Sequence, residues 1–192
     1  MKKYIITLLI GIGLLFAAST DKEIKVEKPM AKNLKAAYFA GGCFWGVEHH
    51  FEKKDGVKDA ISGYMGGWVK DPGYYDVVKG KTGHVETVKV VYDPKIVTFE
   101  ELTKLFFEIH DPEQKDGQGP DIGSQYLSGI FYHDEEEKKT AQGVVDILTS
   151  KGYDVATSLV EVSPFYTAEG FHQDYYARTG KTPYCHIYKK IF

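Results

Sequence analysis

The sequence predicts an α+β fold, with helices packed on a sheet. Apolar residues alternate at period two in some segments and recur at helical spacing in others. The connections between these segments are short, and none repeats at a fixed period, which sets aside solenoids and propellers. At 192 residues, 43% hydrophobic and 27% charged, the chain is long enough and apolar enough for one domain with a sizeable core.

Residues 36–40 read as a short buried strand running into the turn Gly41-Gly42. Phe44, Val47 and Phe51 keep the i, i+3, i+7 spacing of a helix with one buried face, which extends to about Lys53 before the turn Asp55-Gly56. A second strand is predicted over 57–65, followed by a glycine-rich loop over 66–73 that leads to Tyr74 and Tyr75. The clearest strand covers 84–92 and is ended by Asp93-Pro94. Thr98 and Glu101 make a capping box for a helix with the stripe Leu102, Leu105, Phe106 and Ile109, which stops before Asp111-Pro112. Residues 111–123 form a long loop of Asp, Gly and Pro, a type that is often functional. A strand over 124–132 comes next. Asp134 then caps a helix that turns Ala141, Val144, Val145 and Leu148 to the core and ends at Gly152. A last strand over 153–162 and a final helix over 168–178 precede a loosely held tail.

Residues 1–19 read as a secretory signal peptide: Lys2 and Lys3, an apolar stretch over 4–16, then Ala17, Ala18 and Ser19. This predicts a secreted or periplasmic protein. The apolar run falls short of the ~20 residues of a membrane span, and an uncleaved anchor is the alternative. The absence of a cysteine near the cleavage region argues against a lipoprotein anchor. Residues 20–35, rich in Lys and Glu, read as a solvated linker. Losing the two lysines would take the formal net charge from −3 to −5, which leaves no electrostatic footprint for nucleic acid.

The run Gly41-Gly42-Cys43-Phe44-Trp45-Gly46 sets a thiol on a glycine turn at a helix start, where free amides and the helix dipole favour a thiolate. Phe44 and Trp45 offer an apolar wall for a methyl or thioether group. The same pattern suits a buried structural cysteine beside core aromatics. Period two puts Glu86 on the face of Val88, Val90 and Tyr92, and a carboxyl among apolar side chains has a raised pKa and can donate a proton. The chain has only two cysteines, Cys43 and Cys185. A structural disulfide between them could stabilise the fold by about 5 kcal/mol, whereas a reactive Cys43 and a mobile Cys185 would suit a bond that opens and closes. Seven histidines include His49-His50 and Cys185-His186, yet the spacing matches no metal motif, so no metal site is expected. His84 and His172 read as pocket-shaping or structural groups. A cysteine-histidine acyl hydrolase and a disulfide-stapled binding module are the rival readings.

From about Ala36 to Cys185 the sequence resembles the A-type methionine sulfoxide reductases. The resemblance rests on Gly41 with Cys43-Phe44-Trp45-Gly46, Gly83-His84-Val85-Glu86, His110-Asp111-Pro112, Asp121 through Tyr126, and Phe171-His172-Gln173-Asp174-Tyr175. It implies a two-layer plait with a mixed sheet and a ferredoxin-like core, occupying residues 36–192. It also implies reduction of the S epimer of methionine sulfoxide, free or in oxidised proteins, without a bound cofactor. Cys43 would be the nucleophile and become a sulfenic acid, and Glu86 would be the acid. Tyr74 and Tyr126 would hydrogen-bond the sulfoxide oxygen, Asp121 would organise the pocket, and Phe44, Trp45 and His172 would line it. Cys185 matches the family's tail cysteine and would close a disulfide. No further cysteine follows, so a thioredoxin-like donor would reduce that bond directly. The protein is expected to act as a monomer. Pro120 and Ile122 depart from the family pattern at positions that bear on substrate preference.

Overall fold

The computed structural model describes residues 31–192. The expected signal peptide and most of the expected linker lie outside the described residues. The chain runs through β1 (Lys35–Gly41), α1 (Phe44–Glu52), β2 (Val57–Met65), α2 (Tyr74–Val77), β3 (Val85–Tyr92) and α3 (Phe99–Glu108). It continues through β4 (Gly117–Gln118), β5 (Asp121–Ile122), β6 (Ser128–Tyr132), α4 (Glu135–Ser150), β7 (Ser158–Glu161), β8 (Tyr166–Thr167) and α5 (Tyr175–Thr179).

Six strands form one sheet in the order β7-β6-β1-β3-β2-β8, and β4 and β5 make a separate small hairpin. The central four strands, β6-β1-β3-β2, are antiparallel and are linked as two βαβ units through α1 and α3, the ferredoxin-like arrangement. β7 joins β6 in parallel, which makes the sheet mixed, as expected. One face of the sheet carries the core. Phe39 lies between Phe51 and Phe106, with ring centroids 4.9 and 5.2 Å away, and the buried sides of α1, α3 and α4 close over it. The opposite face holds a smaller cluster of Ala40, Met65 and Phe131 with Tyr38, Val85 and Phe165 around it.

The capping box at Thr98 is present, with the Glu101 amide on the Thr98 hydroxyl and the Thr98 amide on the Glu101 carboxylate. Asp134 caps α4 through the Glu137 amide, and Ala141, Val144 and Leu148 are buried, with Val145 half-buried.

Four expectations are corrected. The strand expected over 124–132 begins only at Ser128, because Ser124–Tyr126 is a 3-10 turn closed by the Tyr126 amide on the Gly123 carbonyl. Only Ser158–Glu161 of the expected 153–162 pairs as strand, since the Asp154 amide is taken by the Glu113 carboxylate and the Ala156 amide by the Pro112 carbonyl. The final helix is confined to Tyr175–Thr179. The Gln173 side chain binds the Ser62 amide and carbonyl and the Ala168 carbonyl, and Asp174 takes a left-handed conformation at φ 53°, which breaks the helical run.

The tail is irregular but firmly held, contrary to expectation. The Lys189 amide bonds the Glu108 carbonyl, and the Ile191 and Phe192 amides converge on one oxygen of the Glu108 carboxylate at 2.9 and 3.1 Å. The Phe192 ring lies beneath the ammonium groups of Lys104 and Lys151.

Candidate active site

β1 delivers the chain to Gly42, whose φ of +90° and contact with the Gln118 side chain leave no room for a Cβ. Cys43 is therefore held at the N-cap of α1, 7% exposed, and the first amides of the helix stay available. The Phe44 amide donates to Glu86 Oε2 at 3.0 Å, and the Trp45 amide points at the Cys43 sulfur. One helix start thus grips both groups proposed for the chemistry. Glu86 faces inward from β3 as its alternation requires and is 2% exposed. Burial first, then the proximity of Cys43, pushes its pKa well above the usual carboxylate value, and the Phe44 amide only partly offsets this. Both effects favour the protonated carboxyl over the carboxylate.

For Cys43 the expectation of a lowered pKa is overturned. Its value is raised, first because the thiol hydrogen-bonds Cys185 and then because it is buried; the Trp45 amide pulls the other way. Both cysteines are free thiols. The largest cause is thus a contact with a tail residue, and it disappears once the Cys185 side chain moves aside.

Tyr74, at the start of α2, and Tyr126, at the end of the 3-10 turn, both have raised pKa values. Burial comes first and Glu86 second for each, and Cys43 contributes to both, so the two phenols sit in one site with the acid and the thiol. They remain protonated donors. Asp121, from β5, accepts from the Tyr184 hydroxyl at 3.0 and 3.2 Å, and its charge raises the pKa values of Cys43, Glu86, Tyr74 and Tyr126.

Trp45 and Phe44 do not share the wall equally. Phe44 is buried, and the half-buried Trp45 presents the accessible surface. Tyr175 stacks on the indole at 3.8 Å, and the indole Nε1 donates to His172 Nδ1 at 3.1 Å. Accepting that bond fixes the His172 tautomer with its proton on Nε2, and burial lowers its pKa to about 4. His172 therefore backs the wall from inside. His84 is a satisfied structural group, accepting from the Gly67 amide and donating to the Val69 carbonyl.

Sequence reasoning missed several supporting residues. Glu169 accepts from the Tyr74 amide at 2.9 Å and the Tyr64 hydroxyl at 3.0 Å, which fixes Tyr74 at the rim. Glu48 is buried under α1 with its pKa pushed up to about 8 by desolvation. It occupies the i+4 position of the Phe44, Val47, Phe51 stripe, a signal that was legible. Among the described residues no group of three or more His, Cys, Asp or Glu could hold a metal ion, and no helix is long and apolar enough to cross a membrane.

Residues 35–192 match the family model described as peptide methionine sulfoxide reductase. A peptide methionine sulfoxide reductase MsrA of Natronomonas pharaonis is 42% identical over 155 residues, covering 79% of this chain and 87% of that protein. An MsrA of Rhodopirellula baltica is 44% identical, covering 86% of each. Among solved structures, reduced Mxr1 from Saccharomyces cerevisiae is similar with a TM-score of 0.79 and 36% identity, covering 86% of this chain and 98% of that one. Mxr1 in complex with Trx2 is similar with a TM-score of 0.57 and 28% identity, covering 86% and 97%.

Proposed function

The chain belongs to the peptide methionine sulfoxide reductase family and is an oxidoreductase, and on that premise we propose that it reduces the S epimer of methionine sulfoxide, free or within oxidised proteins, with Cys43 as the nucleophile. The observation that carries this reading is the Phe44 amide bond to Glu86, which ties a buried carboxyl of raised pKa to the first turn of the helix that presents the thiol. The epimer follows the resemblance of the motifs to the A-type enzymes.

The substrate's methyl group lies on Trp45, and its oxygen accepts from Glu86, Tyr74 and Tyr126. Protonating that oxygen weakens the sulfur–oxygen bond, worth about 3–5 kcal/mol as general acid catalysis. Cys43 sulfur supplies the electron pair, the oxygen passes to it, and the substrate sulfur leaves as the thioether methionine. The thiol proton replaces the one lent by Glu86, so the products are methionine and a Cys43 sulfenic acid with no other reactant consumed. Cys185, already hydrogen-bonded to Cys43, then closes a disulfide and releases water.

A thioredoxin-like donor reopens the bond, a reading supported by the similarity to Mxr1 solved with Trx2. Cys185 also lines a cavity of about 340 Å³ with Phe107, His110, Gln118 and Ile187, an approach to its sulfur for the donor thiol. Residues 1–19 carry the protein out of the cytoplasm, where it acts as a monomer. The mass of the protein recovered from cells and its sedimentation would test these two points. For the activity, the test is to incubate the purified protein with dithiothreitol and each epimer separately. Conversion of the S epimer alone is expected; turnover of neither epimer overturns the reading.

A further inference from the structure

His186 is buried, at 2% exposure, yet none of the reductase steps above uses it. Its Nε2 lies 2.7 Å from the Gly41 carbonyl, which can only accept, so the ring proton is on Nε2. Nδ1 is therefore bare in the neutral ring. It lies 3.0 Å from Cys185 Sγ, positioned to accept the thiol proton. Two further contacts hold the residue, one at its backbone and one at its ring. His50 Nε2 approaches the His186 carbonyl at 3.1 Å, and the ring packs on Gly46, where any Cβ would overlap it. Burial keeps the ring below the ordinary histidine pKa, hence neutral and able to take a proton.

We propose that His186 is the general base of the disulfide-forming step, taking the Cys185 thiol proton as Cys185 attacks the oxidised Cys43. The inference rests on the reading of Cys43 as the sulfenic acid and Cys185 as its partner. The Cys185–Cys43 sulfur bond forms as the Cys43 sulfur–oxygen bond breaks. Glu86 gives the departing oxygen its second proton, and His186 then releases the Cys185 proton to solvent, from which Glu86 is recharged. A sulfenic acid and a thiol become a disulfide and water. Such a base contributes roughly a hundredfold or more.

Gln at position 186 can keep a donor to the Gly41 carbonyl while removing the base. The experiment mixes His186→Gln, wild-type and Cys185→Ser protein with S-methionine sulfoxide and no reductant. Methionine release and dimedone-trapped sulfenic acid on Cys43 are both followed. The reading is the rate of sulfenic acid loss divided by the rate of methionine release in the same protein, which is expected to fall about 100-fold in His186→Gln. A ratio equal to wild type overturns the proposal.

Repeating the measurement up to pH 9.5 separates a base from a merely structural residue, because rising hydroxide takes the thiol proton without a side-chain base. The titratable groups facing the pair are Cys43, His50 from α1, His110 after α3, Asp121 from β5, Tyr176 from α5 and Tyr184 in the tail. His186→Gln should recover toward wild type as pH rises; a deficit that stays constant with pH overturns the proposal. Absence of methionine release from wild type, or sulfenic acid that vanishes as fast in Cys185→Ser, would instead remove the underlying reading.

Discussion

Replacing Glu48 by Gln should stabilise the protein at alkaline pH. Glu48 is buried beside Ser62, and the charges of Glu52 and Asp174 add to the cost of ionising it, so its pKa rises from 4.5 to about 8. Below pH 4.5 both the folded and the unfolded chain hold the proton, and the group costs nothing. As pH rises the unfolded chain ionises first while the folded one keeps its proton, so stability falls until the pH passes 8. At about 1.4 kcal/mol for each pH unit between the two values, the loss is about 3 kcal/mol at pH 7 and about 5 kcal/mol above pH 8. Glutamine fills the same space without titrating. Urea denaturation of both proteins at pH 5, 7 and 9 measures the effect: near-equal stability at pH 5, and a Gln variant more stable by several kcal/mol at pH 9. Parallel pH dependences for the two proteins would refute the assignment of a desolvated, titrating carboxyl at this position.

Glu86→Gln should lower kcat by about 10²–10⁴. In wild type, kcat should be high below the raised Glu86 pKa and fall as pH rises through it, a decline that the pH profile of the Gln variant lacks. His172→Ala removes the acceptor for the Trp45 indole and should raise KM about fivefold to thirtyfold, as loss of about 1–2 kcal/mol implies, with a smaller effect on kcat in steady-state kinetics. Glu108→Ala frees the Ile191 and Phe192 amides; faster hydrogen exchange there and a loss of about 1–2 kcal/mol in urea denaturation are expected.

What could be read from the sequence is what local spacing encodes. The strand over 57–65 follows from its own residues and turns, and the Thr98 capping box from a four-residue pattern, and both stand in the structure. The inward aim of Glu86 follows from period two along β3. Cys43 is different. Its place at the helix start is local, but its proton affinity is set first by Cys185, a residue near the other end of the chain that no spacing rule connects to it. The same holds for the segment over 168–178, where helical periodicity loses to the Gln173 bonds with Ser62 on another strand. The tail lacks regular structure and so reads as loose, although a single buried carboxylate, Glu108, holds its end. The two-cysteine count left a structural staple and a reversible pair both open; in the structure Cys43 and Cys185 are free thiols.

The most direct measurement follows the oxygen itself. Cys185→Ser protein, given isotopically labelled S-methionine sulfoxide without reductant, should release about one methionine per enzyme and carry the label on Cys43, as read by mass spectrometry of the Cys43 peptide. Methionine released with Cys43 unmodified, or no methionine at all, would contradict transfer of the oxygen to that sulfur.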